Sequence, residues 1–209
     1  LGDRFRFTTH WYGHARLYLL VVAIFLAGVA SGAMVVQFLS GDKLAELASY
    51  LDLSLAALLG APPDQRVLAQ KALGQNLRFL LLIGFLGLTV VGIPLVLALI
   101  WLRGFMLGFT AGFLITQKAA AGILLAALTV LPQNLFYIPA FIIAGALAVG
   151  FSFRLIKGRQ FPFSLTLGEH CLTYFLALAG TLALVGIGGL VESYVVPPAV
   201  RWLLAGIFR

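Results

Sequence analysis

The chain has 209 residues, of which 62% are hydrophobic and only 10% are charged. Soluble domains carry about 25% charged residues, so this composition excludes a sizeable soluble domain and indicates an integral membrane protein. In a soluble protein, a net charge of +7 would be typical of binding to nucleic acid. In a membrane protein basic residues mark the cytoplasmic loops instead, and no nucleic-acid partner is expected.

The predicted fold is all-α, a single integral membrane domain over residues 1–209 that forms a polytopic helix bundle. A helix needs about 20 apolar residues to cross a bilayer, which leaves room for about five spans. An external amphipathic helical loop and a broken region between the third and fourth helices complete the prediction. The apolar runs place the spans at 17–38, 78–102, 104–131, 135–153 and 166–191, and the external loop at 40–76.

The external loop predicts an amphipathic helix that ends at Gly60, because apolar residues recur in it at helical spacing. This face either covers the outer leaflet and the bundle or docks a partner outside the membrane, with Leu47 and Leu51 as the partner-binding candidates. Its apolar positions include Leu44, Leu47, Ala48, Leu51 and Leu55.

Glycine recurs every four residues at Gly104, Gly108 and Gly112, and the first span repeats the spacing at Gly28 and Gly32. Glycine on one helix face lets a second helix approach closely. These five residues are therefore predicted to pack helices within the chain. Self-association into a homo-oligomer, or packing against a partner's helix, is the alternative.

The run at 104–131 is interrupted by two polar residues, Gln117 and Lys118. Either one long broken helix crosses here with both residues inside the membrane, or two half-helices form a re-entrant hairpin. The positive-inside rule favours a single crossing, because it keeps Arg103 and the cluster of Arg154, Lys157 and Arg159 cytoplasmic.

Pro132, Gln133 and Asn134 are predicted to form the outer corner between the third and fourth spans. Proline suits the first turn of a helix, where its missing N–H is not needed. Pro139 frees a further carbonyl, which the amides of Gln133 and Asn134 are able to satisfy. These three corner residues either cap a kinked turn or contact a partner directly.

The sequence contains none of the common catalytic motifs and no paired intramembrane carboxylates of the kind that a proton-coupled pump uses. No enzyme activity, cofactor or metal site is therefore expected. The residues by themselves indicate a membrane scaffold or a permease-like subunit.

Three segments carry a resemblance to a known family: LYLLVVAIFLAGVASGA at 17–33, LRGFMLGFTAGFLITQ at 102–117 and LPQNLFYIPAFIIAGA at 131–146. They resemble the stage II sporulation protein M family, and its sporulation-specific members more closely than its distant relatives. The distant relatives have a proline-histidine-glycine and glutamate pattern at the corner, where this chain has Pro132-Gln133-Asn134 and Tyr137.

The resemblance implies a cell-membrane scaffold of the peptidoglycan-remodelling complex that drives engulfment of the forespore during sporulation. It implies stage II sporulation proteins D and P, the peptidoglycan-cleaving enzymes, as partners, besides the membrane lipids. The expected topology is multi-pass, with a cytoplasmic N-terminus and an external C-terminus. The alternative function is a permease-like subunit of an ABC-type transporter, driven by a separate ATPase, because broken helices also occur in transporters.

Overall fold

The structure, a computed structural model, describes residues 2–60, 64–157 and 167–207. Within these ranges the chain is helical apart from short turns and contains no strand, which confirms the predicted all-α fold. The helices are α1 (Gly2–Gln37), α2 (Gly41–Gly60), α3 (Gln65–Gly87), α4 (Gly92–Lys157), α5 (Leu167–Leu190) and α6 (Val196–Ile207).

Four stretches of these helices are long and apolar enough to cross a membrane, as a multi-pass membrane protein requires. Helix α3 is not one of them, because charged and amide side chains occupy its first half. The four stretches are Ala15–Gln37, Gly92–Lys118, Ala121–Ile156 and Tyr174–Leu203.

Helix α4 has 66 residues and would be about 100 Å long if it were straight. It is sharply bent instead. A Cβ atom placed on Gly122 would collide with the carbonyl oxygen of Leu114 and lie 3.1 Å from the Cα of Ile115. Residues eight apart in a straight helix are about 12 Å apart along its axis. The chain therefore reverses between two arms, Gly92–Lys118 (the first arm) and Ala121–Ile156 (the second arm).

This bend corrects two predictions. The run at 104–131 is not a single crossing, since the reversal lies near Lys118. The outer corner predicted at Pro132–Asn134 is also wrong, because the second arm remains helical through Pro132 and Pro139. The corner was predicted at this place because proline usually breaks a helix. Transmembrane helices nevertheless tolerate proline when other groups satisfy the freed carbonyls.

A second reversal separates α3 from α4. Helix α3 ends at Gly87 and α4 begins at Gly92, so the structure differs from the predicted span at 78–102. Arg103 consequently lies in the interior of the first arm, where it bonds Asn76 of α3. It does not mark a return to the cytoplasm, as the positive-inside argument assumed.

Helix α1 and the first arm of α4 run parallel and touch along their backbones. A Cβ atom on Gly104 would collide with the carbonyl oxygen of Phe25, and one on Gly108 with that of Val29. Gly28 and Gly32 make the reciprocal contacts with the carbonyls of Trp101 and Phe105, and Gly112 lies against Ala33. The structure thus places all five glycines of the two repeats in one contact within the chain.

The bundle has two chemically different ends. At the basic end, Gly150 of the second arm lies beside Leu17 of α1, so Arg16 and Arg154 belong to the same end. Arg159 and the side chain of Lys157 lie outside what the structure describes. The opposite end, called the cap end below, consists of α2, the bend of α4 and α6, which pack together through Leu51, Leu114 and Val200.

Candidate functional site

Arg103 lies within the bundle and contacts three aromatic rings. Its guanidinium carbon is 5.0 Å from the ring centroid of Phe141 and 5.7 Å from those of Phe79 and Tyr137. Its Nη2 donates a 2.7 Å hydrogen bond to Oδ1 of Asn76, a residue that is itself only 5% exposed. Aromatic faces and a carbonyl oxygen are suitable surroundings for a guanidinium removed from water.

Tyr137 extends this arrangement to the last part of the chain. Its phenolic hydroxyl donates a 2.7 Å hydrogen bond to Oε2 of Glu192, and its ring is 1% exposed. The Glu192 carboxylate also attracts the Arg103 guanidinium through its charge. The polar cluster, defined as Asn76, Arg103, Tyr137 and Glu192, therefore contains one cation and one anion.

A π-helical turn at Val191–Val195 presents Glu192 to this cluster. The turn is wide because the N–H of Val196 donates to the carbonyl of Val191, five residues back. Pro197 and Pro198 follow directly and lack N–H groups of their own. Single π-helical turns inside helices are frequent at functional sites, since the extra residue redirects side chains.

The polar cluster joins four segments of the chain: α3, both arms of α4 and the π-helical turn. Ionisable residues inside a membrane bundle are costly, and they face the interior and pair with one another, as here. The hydrogen bonds and ring contacts of the cluster hold the four segments in one register.

The structure places the three corner residues inside the second arm. Nε2 of Gln133 donates to the carbonyl of Thr129, and Nδ2 of Asn134 donates at 2.7 Å to that of Val130. Both amides therefore bond carbonyls one turn back on their own helix, near the bonds that Pro132 cannot make. The carbonyl that Pro139 frees, that of Leu135, accepts from neither amide, so this part of the prediction is wrong.

The two residues predicted to be intramembrane, Gln117 and Lys118, lie at the bend of α4. Nζ of Lys118 is 2.8 Å from Oδ1 of Asp52 on α2, and both side chains are substantially exposed. Because the bend and α2 meet at the cap end, Lys118 lies at the end of a span and not in its middle. The ion pair ties α2 to the bend.

The apolar face of α2 faces the bundle. Leu51 and Leu55 pack against the cluster formed by Leu114 and Val200, and Leu47 is half-buried. Of the two roles predicted for this face, covering the bundle explains the packing of Leu51. The opposite face of α2 exposes two other apolar side chains, Tyr50 at 62% and Leu53 at 68%.

The sequence was compared with known families, with curated proteins and with solved structures. Residues 21–197 match the family of stage II sporulation protein M. The chain belongs to the stage II sporulation protein M family. No curated protein and no solved structure matches it.

Membership of the stage II sporulation protein M family confirms the resemblance seen in the three sequence segments, and it identifies a sporulation-related, multi-pass membrane protein. The matched range contains the whole polar cluster and all of α2 and α4. Sequence reasoning missed Arg103 because it was assigned to the cytoplasmic side, and it missed Glu192 because this residue follows directly after the predicted span at 166–191. The available signal was a lone charged residue inside an apolar run, which in a membrane protein indicates a functional or structural site.

Proposed function

We propose that this chain is a non-catalytic membrane scaffold that anchors cell-wall hydrolases during engulfment of the forespore. Its proposed partners are stage II sporulation proteins D and P, which cleave peptidoglycan. Membership of the stage II sporulation protein M family is the observation that carries the proposal, since it assigns the chain to sporulation. The partners and the hydrolase recruitment are what the resemblance implies.

The orientation proposed for the scaffold puts the cap end outside the cell, where a peptidoglycan hydrolase works. Arg16 and Arg154 lie at the basic end, and basic residues favour the cytoplasmic side of a membrane. The N-terminus is then cytoplasmic and α6 is external. The alternative of a transporter subunit gains no support, because no observation on the described residues favours it.

The cap end supplies the surface on which a hydrolase would be held. Tyr50 and Leu53 of α2 and Trp202 of α6 all have exposed side chains, with Trp202 79% exposed. Helix α2 is held against the bundle by its own leucines and by the Asp52–Lys118 ion pair. Aromatic side chains on a rigid support are typical anchors of protein interfaces.

The test places a photo-crosslinking amino acid at Tyr50, Leu53 or Trp202 of the full chain, in membranes of sporulating cells. Leu19, which is 69% exposed on α1 away from the cap end, is the matched control. Covalent adducts with protein D or P at the cap positions and not at Leu19 are expected. A folded, membrane-inserted chain that captures neither hydrolase at any cap position would overturn the proposal.

A further inference from the structure

Helix α3 has one exposed face that changes character along its length. Its second half exposes Leu81, Leu82 and Phe85, as a lipid-facing helix does. Its first half exposes four polar side chains at helical spacing on the same side, one turn after the exposed Val67. The α3 polar face is defined as these four residues, Gln70, Lys71, Gln75 and Arg78, together with the half-buried Gly74 between them.

The α3 polar face lies beside the middle of the bundle. Asn76 bonds Arg103, which is inside the span Gly92–Lys118, and Leu73 packs against Gly189, which is inside the span Tyr174–Leu203. The face is therefore at the depth of the hydrocarbon and not in a loop. Elsewhere the bundle exposes apolar side chains near this level, such as Leu26, Trp101 and Met106.

Lipid headgroups are poorly placed to cover Arg78, the cation of this face that lies farther from the start of α3. Arg78 is nine residues before the end of α3, about 14 Å along the axis, and about 20 Å from the start of the helix. Helical side chains tilt toward the N-terminus of their helix, which here is the more distant end. A side chain of this length does not reach the interface in that direction.

The two cations of the face are also without a polar partner in the part of the chain that the structure describes. Neither Lys71 nor Arg78 makes a hydrogen bond or an ion pair with the described residues. A charged side chain that faces hydrocarbon without a partner is unfavourable. In the assembled protein, something polar must therefore cover the face.

We propose that the α3 polar face binds a transmembrane helix of another protein that carries a carboxylate at mid-membrane depth. The charge of the face is positive, and an acidic side chain complements it. No atom lies within 4 Å of the position that a Cβ on Gly74 would take, so a second helix is able to approach the backbone closely there. Gln75 beside it offers an amide for a further interhelical hydrogen bond.

A second copy of this chain does not fit this requirement. Glu192 is already bonded to Tyr137. The other acidic side chains of known exposure belong to α2 or to the residue just before α3, away from mid-membrane depth; they are Asp42, Glu46, Asp52 and Asp64. None of the acidic side chains that the structure describes meets the requirement, so we assign the carboxylate to a different protein.

This inference rests on the proposed scaffold function and deepens it, because the acidic helix would belong to a protein of the hydrolase assembly. It concerns a different surface from the cap end. Its test therefore uses a defined peptide and not a hydrolase, so that the two proposals fail independently.

The full chain, labelled with a donor fluorophore, is reconstituted in phosphatidylcholine vesicles with an acceptor-labelled polyleucine peptide long enough to span the bilayer. One peptide has a central glutamate and its control has leucine there. We expect the glutamate peptide to bind about tenfold more tightly than the leucine peptide, as polar contacts between membrane helices permit.

Three variants locate the binding surface. Arg78→Leu should abolish the preference for glutamate, whereas Arg66→Leu, the same change near the start of α3, should leave it unchanged. Arg78→Glu should instead prefer a peptide with a central lysine. Retained thermal midpoint and helix content in each variant exclude unfolding as the cause.

Three results would overturn the inference. The first is equal binding of the glutamate and leucine peptides. The second is energy transfer between two labelled copies of this chain, if Arg78→Leu abolishes that transfer. This result would make the face a self-association surface. The third is a Gly74→Cys side chain that a membrane-impermeant reagent labels equally with and without the glutamate peptide, which would make the face a permanent water-filled groove.

Discussion

Tyr137 and Glu192 are 55 residues apart in sequence and joined by a 2.7 Å hydrogen bond between the phenol and the carboxylate. The bond attaches the second arm of α4 to the π-helical turn that precedes α6. Because the Tyr137 ring is 1% exposed and also contacts Arg103, this residue is at the centre of the polar cluster. The stability of the bundle should therefore be sensitive to single atoms of the cluster.

The change Tyr137→Phe removes one hydroxyl and keeps the ring. We expect a loss of about 1–3 kcal/mol in the free energy of unfolding, because the Glu192 carboxylate loses its donor in a site with little water. Equilibrium unfolding of the purified chain in mixed micelles measures it. Tyr50→Phe, at a position that is 62% exposed, is the control and should change stability by less than about 0.5 kcal/mol. Equal effects of the two changes would argue against a structural role for the cluster.

The change Arg103→Lys keeps the charge and removes the planar group. The guanidinium bonds Asn76 and lies over three rings at once, and a lysine ammonium has no flat surface with which to do this. We expect a loss of about 1–2 kcal/mol in the free energy of unfolding. The exposed Arg66, changed to Lys in the same way, should show almost no loss. An Arg103→Lys chain as stable as the parent would mean that charge alone matters at this position.

The change Gly108→Ala adds one methyl group at the contact between α1 and the first arm. That methyl group would collide with the carbonyl of Val29, so the two helices must separate, with a cost of about 1–3 kcal/mol as for other overpacked sites. Gly180→Ala, where no atom lies within 4 Å, is the matched control and should be neutral or slightly stabilising. If thermal denaturation finds the same midpoint for both variants, the backbone contact is not as close as described.

The position of Lys118 at the cap end predicts its accessibility. In a chain whose single cysteine is replaced by alanine, Lys118→Cys and Asp52→Cys should react with a membrane-impermeant maleimide added from the same side. Arg154→Cys, at the basic end, should react only from the other side. The ratio of labelling in intact and permeabilised cells gives the readout. Protection of Lys118→Cys from both sides would restore the interpretation of a residue inside the membrane.

Composition and periodicity were sufficient for the helical membrane fold and for helix α2. The amphipathic pattern predicted a helix that ends at Gly60, and the structure has a helix over Gly41–Gly60. The glycine repeats also indicated close packing, since a row of glycines on a helix has few other uses in a membrane. These features are local, and local pattern is what a sequence displays directly.

The reversals of the chain were not predictable in the same way. The positive-inside rule treats a lone arginine as a loop marker, whereas Arg103 is accommodated inside the bundle by contacts that come from α3 and the second arm of α4. The prolines similarly suggested a break, but the second arm remains helical through Pro132 and Pro139. A lone charge or a proline in an apolar run therefore does not by itself mark the end of a membrane helix.

The parallel contact between α1 and the first arm of α4 also constrains the order in which the protein matures. Phe25 and Gly104 meet backbone to backbone, but α2 and α3 lie between them in the chain. During synthesis α1 is therefore inserted in the bilayer with its glycines against lipid until the first arm of α4 has been synthesised. In a chain truncated before Gly104, α1 should lack its partner helix. Membrane quality-control proteases should then degrade the truncated chain.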